Sequence, residues 1–190
     1  MKTRNFGDWV RGLSELEIGA LRAYKSETEN LKRFLLGTDQ TPGLSAGDWT
    51  WTTDHVTALD AAIAKLEHPA GTKLWCAVAE GARVRNLIAD GVYRFAPYIS
   101  VSKTQALSYR FFTAPIANPI LLQFDMDREF VAAQLPPREG IGDGEHEIVL
   151  PRNTAYRVVA DNQTIPFNSI RRELVRFAKE IVTVVELKPM

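Results

Sequence analysis

Two glutamates lie two residues apart at the start of an apolar run, in the segment Glu145-His146-Glu147 followed by Ile-Val-Leu. Because residues i and i+2 of a strand project to the same face, both carboxylates would lie together, about 7 Å apart. Such a pair suits cleavage of an N-glycosidic bond, where one carboxylate stabilises an oxocarbenium-like cation and the other handles the incoming nucleophile. The alternative is two solvated charges at a strand edge, and the spacing alone does not decide between them.

A second polar pair, Ser100 and Ser102, lies where a predicted strand ends and a predicted helix begins. A serine at such a position can cap the helix by accepting a hydrogen bond from an amide of the first turn. Its hydroxyl can instead orient a polar ligand, or a second carboxylate, inside a cleft. Both interpretations stay open at this point.

The sequence supports no metal site. The three histidines, His55, His68 and His146, share no ligand spacing with one another or with the single cysteine, Cys76. Cys76 lies in a predicted apolar strand and is most simply a small core residue. A role as a nucleophile would need a histidine beside it, and the sequence places none there.

Aromatic rings and glycines offer two further possibilities for ligand binding. Tryptophans in strands and at helix edges are typical core residues, with a platform for a ligand ring as the alternative; they are Trp9, Trp49, Trp51 and Trp75. Gly140, Gly142 and Gly144 lie in the irregular segment Pro136–Gly144. No strand precedes these glycines and no helix follows, so a motif that cradles phosphate is not supported.

The elements that must position these residues divide into a helical part and a mainly β part. A capping box at Ser14 and Glu17 begins a helix that runs to Gly37, and a second helix runs from Thr53 to Leu66. Apolar runs then predict strands at 73–79, 92–102 (interrupted at Pro97), 120–124, 147–150, 156–160 and 181–187, with short helices at 82–89 and 103–112. This order indicates one α+β domain over residues 1–190, with a helical lobe over 1–70 and a β core over 71–190.

Composition excludes several classes of protein. With 190 residues and 45% hydrophobic content, the chain can bury a core and is not disordered. Lys+Arg and Asp+Glu each number 23, and a net charge of zero argues against a dedicated nucleic-acid binder. No apolar stretch reaches membrane-spanning length, and the segment Met1–Asp8 lacks the core of a signal peptide. We therefore expect a cytoplasmic protein with no membrane contact.

Taken in order, these features resemble the ADP-ribosyltransferases of the arginine–serine–glutamate type, which include bacterial toxins and phage enzymes. The resemblance covers roughly residues 14 to 187, and no single motif in it is specific, although the ordered set is. It implies an α+β fold in which two packed, mainly antiparallel sheets surround a central cleft. The matching segments are YKSETENL from Tyr24, LDAAIAK from Leu59, LWCAV from Leu74, YISVSKTQAL from Tyr98 and GEHEIVLPRNTAYRVV from Gly144.

The resemblance also implies an activity, namely cleavage of NAD and transfer of ADP-ribose to a protein acceptor. Glu147 would bind a hydroxyl of the nicotinamide ribose and stabilise the oxocarbenium, and Glu145 would activate or orient the acceptor. Ser100 would support Glu147 and the ribose, and the segment Pro136–Gly144 would recognise the acceptor. In the family, glutamate at the position of Glu145 accompanies arginine acceptors, so a protein arginine is the implied target.

One departure from the family pattern affects how NAD would be held. The arginine that clamps NAD in the family, and the glycine after it, fall at Cys76 and Ala77. The implied NAD-binding residues are therefore Cys76 and Ala77 together with Ser100 and Ser102. A thiol cannot replace a guanidinium fork against a diphosphate. On the resemblance, Cys76→Arg is expected to preserve activity or raise it.

Several outcomes stay open because of this departure. Another arginine, such as Arg83, Arg85 or Arg94, can reach the site, or NAD can bind more weakly without the clamp. A protein that has lost catalysis would keep the fold as a module that binds a partner. Hydrolysis of NAD with water as the acceptor, and modification of a nucleotide or RNA by the same chemistry, are the remaining alternatives.

Overall fold

A computed structural model describes residues 2–35, 51–78, 81–95, 97–105, 118–135, 147–166 and 181–190 of the protein. Within these ranges four helices precede the strands, and a fifth short helix lies among them, which confirms the predicted α+β class. None of the described helices is long and apolar enough to cross a membrane. The helices are α1 (Phe6–Arg11), α2 (Glu15–Ser26), α3 (Thr28–Leu35), α4 (Thr53–Lys65) and α5 (Gly81–Arg85).

The predicted capping box begins α2 and also ties this helix to α4. The Ser14 hydroxyl accepts a hydrogen bond from the Glu17 amide, and the Glu17 carboxylate accepts one from the Ser14 amide at 2.6 Å. Lys65, the last residue of α4, donates to the same carboxylate at 2.7 Å. Burial is the largest single influence and acts to raise the pKa of Glu17, but the hydrogen bonds with Lys65 and Ser14 and the charge of Lys65 together outweigh it, so the pKa is lowered. The carboxylate is therefore charged at neutral pH.

The predicted helix from Ser14 to Gly37 is two helices within the described residues. The hydroxyl of Thr28 donates to the carbonyl of Tyr24 at 2.5 Å, which is the acceptor that a continuous helix would offer to the amide of Thr28. Glu27, between the two helices, has a φ of −123° and so lies outside the helical region. A side-chain hydrogen bond thus competes with the helical ladder and divides α2 from α3.

Nine strands of the described chain form one sheet, in the order β3-β4-β10-β11-β6-β2-β5-β9-β8, while β1 pairs with β7. Every neighbouring pair is antiparallel except β6 and β11, which are parallel. The strands are β1 (Glu67–His68), β2 (Thr72–Val78), β3 (Ile88–Ala89), β4 (Val92–Phe95), β5 (Ile99–Ser102), β6 (Ile120–Met126), β7 (Phe130–Val131), β8 (Ala133–Gln134), β9 (Glu147–Leu150), β10 (Thr154–Pro166) and β11 (Ile181–Pro189).

All the strands expected from the sequence are present, and the run over 92–102 is divided at Pro97 into β4 and β5, as predicted. The helix expected over 82–89 is shorter, because α5 ends at Arg85 and Ile88–Ala89 pairs with β4 instead. Most of the helix expected over 103–112 lies outside the described residues.

The two halves of the nine-stranded sheet meet at a single residue pair. Strand β2 pairs with β6 along its whole length, but with β5 only at Trp75 and Ser102. Strand β5 pairs with β9 through all four of its residues. Six strands therefore lie on one side of this β2–β5 joint and three on the other, and the sheet cluster contains side chains from both halves, in agreement with the predicted pair of packed sheets.

Two apolar cores lie on opposite faces of the sheet. The helical cluster packs α1 to α4 against one face, and its members include Trp9, Leu21, Tyr24, Leu59, Ile63, Tyr98 and Val149. The sheet cluster fills the other face, and its members include Leu74, Val101, Leu122, Phe124, Ile148 and Leu150. Alternate residues of β9 thus enter different cores, as expected of a strand buried on both faces, while Ile99 and Val101 of β5 enter the sheet cluster.

Stability is expected to fall in acid because of His68. This side chain is buried, stacks on Phe130 with ring centroids 5.0 Å apart, and its Nε2 lies 3.2 Å from the Ala132 carbonyl oxygen. Burial, and then the charge of Lys103, lower the pKa of His68. As pH falls through about 6.5, His68 binds a proton in the unfolded state but stays neutral in the folded state, where its pKa is lower. Protonation therefore favours unfolding, and the free energy of unfolding decreases by at most about 1.4 kcal/mol per pH unit.

Urea denaturation between pH 7.5 and 5 measures this dependence. His68→Gln should flatten it, because the titrating group is gone, while His55→Gln at a partly exposed histidine should retain it. An unchanged pH dependence in His68→Gln would assign the acid sensitivity to other groups.

Candidate active site

Strands β5 and β9 bring the predicted serine and glutamate residues together. Ser102 is the direct cross-strand partner of Glu147, and Ser100 is the partner of Val149. Directly opposed residues of an antiparallel pair project to the same face, so all four side chains share one face of the sheet. Val149 belongs to the helical cluster, which identifies this as the face that α1 to α4 cover.

A row of polar and aromatic side chains crosses five strands on this face, and we call it the polar row. Each member is the cross-strand partner of the next, and neighbouring strands lie about 4.8 Å apart, so the row extends about 19 Å. Ser102 is buried and the other members are partly exposed. The row comprises Glu186 of β11, Gln123 of β6, Trp75 of β2, Ser102 of β5 and Glu147 of β9.

The polar row marks the boundary between a covered and an open part of this face. The neighbouring row on this face lies two positions further along each strand and consists of Val184, Leu121 and Ala77. All three of these residues are buried. In the other direction, Lys73 on β2 is exposed. The polar row is therefore the first line of partly exposed side chains beside the core, which is where a polar ligand can enter and still contact a rigid sheet.

The two serines make different hydrogen bonds. The hydroxyl of Ser100 lies 2.9 Å from the hydroxyl of Tyr24, a buried residue of α2 whose ring packs edge-to-face on Tyr98 at 6.0 Å. The hydroxyl of Ser102 accepts from the amide of Thr104 at 3.0 Å, as a capping serine does. Ser100 is thus bonded toward the helical cluster, while Ser102 is the serine directly opposite Glu147.

An ion pair anchors the end of β9 to helix α4. Arg152, two residues after β9, donates from Nε and Nη2 to Asp60 Oδ2 at 3.0 and 2.7 Å. The hydroxyl of Tyr98, just before β5, donates to Asp60 Oδ1 at 2.6 Å. Burial, followed by the hydrogen bond to Asp60, raises the pKa of Tyr98. One carboxylate of α4 therefore fixes both of the strands that carry Ser102 and Glu147.

Removal of the Asp60 carboxylate is expected to loosen this anchor. Asp60→Ala removes the acceptor of Arg152 and leaves the Tyr98 hydroxyl with the Val56 carbonyl oxygen at 3.3 Å. The change should lower the free energy of unfolding by about 1–2 kcal/mol, because the pair is one-third exposed and partly screened. Denaturation in urea measures the change. Asp8→Ala, which removes an exposed ion pair with Arg11, is the matched control and should cost less than about 0.5 kcal/mol. Equal effects of the two changes would show that Asp60 has no anchoring role.

Cys76 does not share a face with the polar row. Its side chain packs against the sheet cluster, and its cross-strand partner is Leu122 of that cluster. Burial raises the pKa of the thiol to about 12, although the charge of Lys32 opposes the shift. The thiol is therefore protonated at neutral pH and is not a reactive nucleophile. Ala77, the next residue, lies on the polar-row face but is buried.

Other predicted residues lie apart from the polar row or outside the described chain. Glu145 and the segment Pro136–Gly144 fall outside the described residues. Arg83 and Arg85 lie on α5, and Arg94 lies on β4, which three strands separate from β2. In the part of the chain that the structure describes, no group of three His, Cys, Asp or Glu residues could hold a metal ion.

The sequence missed the partners that complete this site. Tyr24 bonds to Ser100 across 76 positions, and Gln123 and Glu186 join the polar row through strand register alone. Trp75 was one of four tryptophans that the sequence treats as typical core residues. Period-2 alternation within β2 separates Trp75 from Cys76, but only pairing with β5 shows which of the two faces Ser102.

Comparison with known proteins identifies the fold. No family model matches the sequence, and no curated protein matches it either. Among solved structures, the toxin BECa of Clostridium perfringens, an ADP-ribosylating toxin determined with NADH, superposes with a TM-score of 0.67 at 13% identity over 98% of this chain. The chain spans about half of BECa, 46% of its length.

For two further structures, the match with this chain covers most of their own length. Plx2a, an ADP-ribosyltransferase toxin from Paenibacillus larvae, gives a TM-score of 0.62 at 15% identity, with 97% of this chain and 90% of Plx2a covered. The ADP-ribosyltransferase Vis of Vibrio splendidus, determined with agmatine, gives 0.62 at 15% identity, with 94% of this chain and 76% of Vis covered. These likenesses establish an ADP-ribosyltransferase fold.

Proposed function

We propose that the protein is a mono-ADP-ribosyltransferase, which cleaves NAD between nicotinamide and ribose and transfers ADP-ribose to a protein acceptor. The observation that carries the proposal is the pairing of Glu147 with Ser102 on the polar row of an ADP-ribosyltransferase fold. A carboxylate supported by a hydroxyl, at the border of a rigid core, suits stabilisation of positive charge on a sugar carbon.

The residues of the polar row fit NAD in length and in chemistry. The row extends about 19 Å, which is comparable to an extended dinucleotide, and offers amide, hydroxyl and carboxylate groups to ribose hydroxyls. On β2, the cation of this face is Lys73, two residues before Trp75, and a lysine meets phosphate as a point charge rather than a fork. The absence of the arginine contact would weaken NAD binding by about 1.5–3 kcal/mol, roughly ten- to a hundredfold.

In the proposed reaction NAD supplies the ADP-ribose group and nicotinamide leaves with the bonding electron pair. The carboxylate of Glu147 stabilises the positive charge that develops at the ribose carbon, and the Ser102 hydroxyl holds that carboxylate in place. The nitrogen of the acceptor then bonds to the same carbon and loses a proton, for which Glu145 is the proposed base. Ser100, bonded to Tyr24, fixes β5 against α2.

Arginine is the proposed acceptor residue. The support is the Glu145–Glu147 pair in the sequence, together with the structure of Vis in complex with agmatine, a small molecule that carries a guanidinium group. A guanidinium matches carboxylates in charge and in hydrogen-bonding geometry. Agmatine is therefore the simplest probe for the acceptor site.

The proposal is tested by incubating the protein with NAD labelled in its adenosine half, first with agmatine and then with a bacterial lysate. Label on agmatine and on lysate proteins would support transfer to arginine. Release of nicotinamide without any labelled product would indicate hydrolysis, with water as the acceptor.

A module that binds a partner is the second candidate, and the pair Cys76 and Ala77 at the expected clamp position favours it. Protein that neither cleaves NAD nor binds it in a calorimeter would exclude the enzyme and leave this candidate. Binding without cleavage would indicate a catalytically impaired member of the fold.

A further inference from the structure

Three cationic side chains lie together on the polar-row face, and we call them the basic patch: Arg94 of β4, Arg157 of β10 and Lys188 of β11. Arg157 is the direct cross-strand partner of Lys188, which follows Glu186 of the polar row by two positions. Arg94 is opposite Ala155, so it lies diagonal to Arg157 on the same face. The basic patch therefore begins about 7 Å from the Glu186 end of the polar row.

The charges of the basic patch are not neutralised within the described part of the chain. The one ion pair there joins Lys188 Nζ to Asp125 Oδ2 at 3.9 Å. The guanidinium groups of Arg94 and Arg157 form no hydrogen bond or ion pair with described residues, and both side chains are exposed. Like charges directly opposite each other, as in Arg157 and Lys188, destabilise a sheet. The cluster therefore does not serve folding, and its charge is available to an anionic partner.

The acids around the basic patch favour a protein over a nucleic acid as that partner. A nucleic-acid backbone is negative along its whole length, so it would also meet the carboxylates of Asp125 and Glu186. A protein segment can place carboxylates on the three cations and neutral or basic residues beside the two acids. The acceptor in the proposed function is a protein with an arginine, so a segment of mixed charge also suits the reaction.

We propose that the basic patch binds an acidic segment of the acceptor protein whose arginine lies beside Glu147, an inference that rests on the proposed function. Lys188 lies four strands from Glu147 and one row further along β11, roughly 20 Å between backbones. An extended chain covers that distance in about six residues. Acidic residues about six or more positions from the acceptor arginine would therefore reach the patch. Lys73 of β2 is nearer to Glu147 and stays available to the phosphates of NAD.

The experiment compares two peptide acceptors that differ only in the charge of their flanks, together with agmatine. In both peptides, five glycines on each side separate one arginine from a run of four residues, which are glutamates in the acidic peptide and glutamines in the neutral peptide. For the wild type with saturating NAD at low salt, the KM for the acidic peptide should be at least tenfold below that for the neutral peptide. The difference should shrink at about 0.5 M salt, because exposed charges are screened.

Arg94→Gln combined with Arg157→Gln removes the two exposed cations of the basic patch. This double variant should raise the KM for the acidic peptide at least fivefold, while the KM values for the neutral peptide, agmatine and NAD stay within twofold of wild type. It should not lower the free energy of unfolding, because it removes like charges from neighbouring positions. Arg22→Gln, at an exposed arginine of α2, is the matched control and should change none of these values.

Fluorescence anisotropy of a labelled acidic peptide measures docking without NAD or catalysis. The wild type should bind this peptide at least tenfold more tightly than the labelled neutral peptide, and the double variant should lose the preference. Equal affinities and equal KM values for the two peptides in the wild type would overturn the proposal. So would tighter binding of a labelled oligouridylate that the double variant loses, or a rise in the KM for NAD in that variant. Wild-type protein that binds the acidic peptide through these arginines but transfers ADP-ribose to no acceptor would overturn the proposed function instead.

Discussion

Glu147→Gln is expected to lower the rate of nicotinamide release from NAD by about 10²–10⁴-fold, with little change in stability. Glutamine has nearly the shape of glutamate and can still hydrogen-bond to a ribose hydroxyl, but it carries no charge to stabilise the cation at the ribose carbon. Glu147 is partly exposed at the start of β9, so the change disturbs neither core. Release of nicotinamide under saturating NAD measures the rate, and calorimetry measures whether binding persists.

The matched control for this prediction is Glu186→Gln. Glu186 is also a partly exposed strand glutamate, at the opposite end of the polar row and four strands from Glu147. Its amide variant should retain the rate of nicotinamide release at saturating NAD within about threefold, because a charge about 19 Å away contributes little to breaking one bond. Equal decreases in the rate of nicotinamide release in the two variants would mean that the total charge of the polar row controls this rate and that Glu147 has no special role.

Cys76→Arg is expected to unfold or strongly destabilise the protein, by about 3 kcal/mol or more. The side chain at this position is partly buried and packs against the sheet cluster, so an arginine would bring its charge among apolar side chains. This expectation is the opposite of the one that the family resemblance gives, in which an arginine restores the clamp. Urea denaturation measures the loss.

Cys76→Val separates this effect from a general sensitivity of the site. Valine is apolar and close to cysteine in size, so it should change the free energy of unfolding by less than about 1.5 kcal/mol. If Cys76→Arg folds with wild-type stability and binds NAD more tightly, the side chain reaches the cleft and the orientation of β2 is wrong. That outcome would also remove Trp75 from the polar row.

The elements with strong local signals could be predicted from the sequence. The capping box at Ser14 and the apolar spacing of α4 define helices whose ends depend on neighbouring residues alone. The limits of β9 match the predicted strand, because its apolar run follows Glu147 and ends before Pro151. Helix α1 and the two-residue strands β1, β7 and β8 were missed, since segments this short have no periodicity and form through partners far along the chain.

The site was less predictable than the fold, because it depends on register. Sequence alternation shows that Ser100 and Ser102 share a face, but not that Ser102 is the partner of Glu147 or that Ser100 bonds to Tyr24. Motif order placed Cys76 at the clamp position, whereas pairing with β5 directs Trp75 to that face. A shift of one residue in the pairing register moves every side chain of a strand to the opposite face, and local sequence patterns do not determine the register.

The β2–β5 joint has a mechanical consequence. A ladder resists sliding through its number of bonds, and one residue pair offers little resistance, so the three-strand half can tilt while the longer ladders on either side stay intact. Besides the apolar contacts of both clusters, two polar contacts from helices hold that half, Tyr24 with Ser100 and Asp60 with Arg152. Helices α2 and α4 therefore help to set the position of β5 and β9, and with them Ser102 and Glu147, relative to β2.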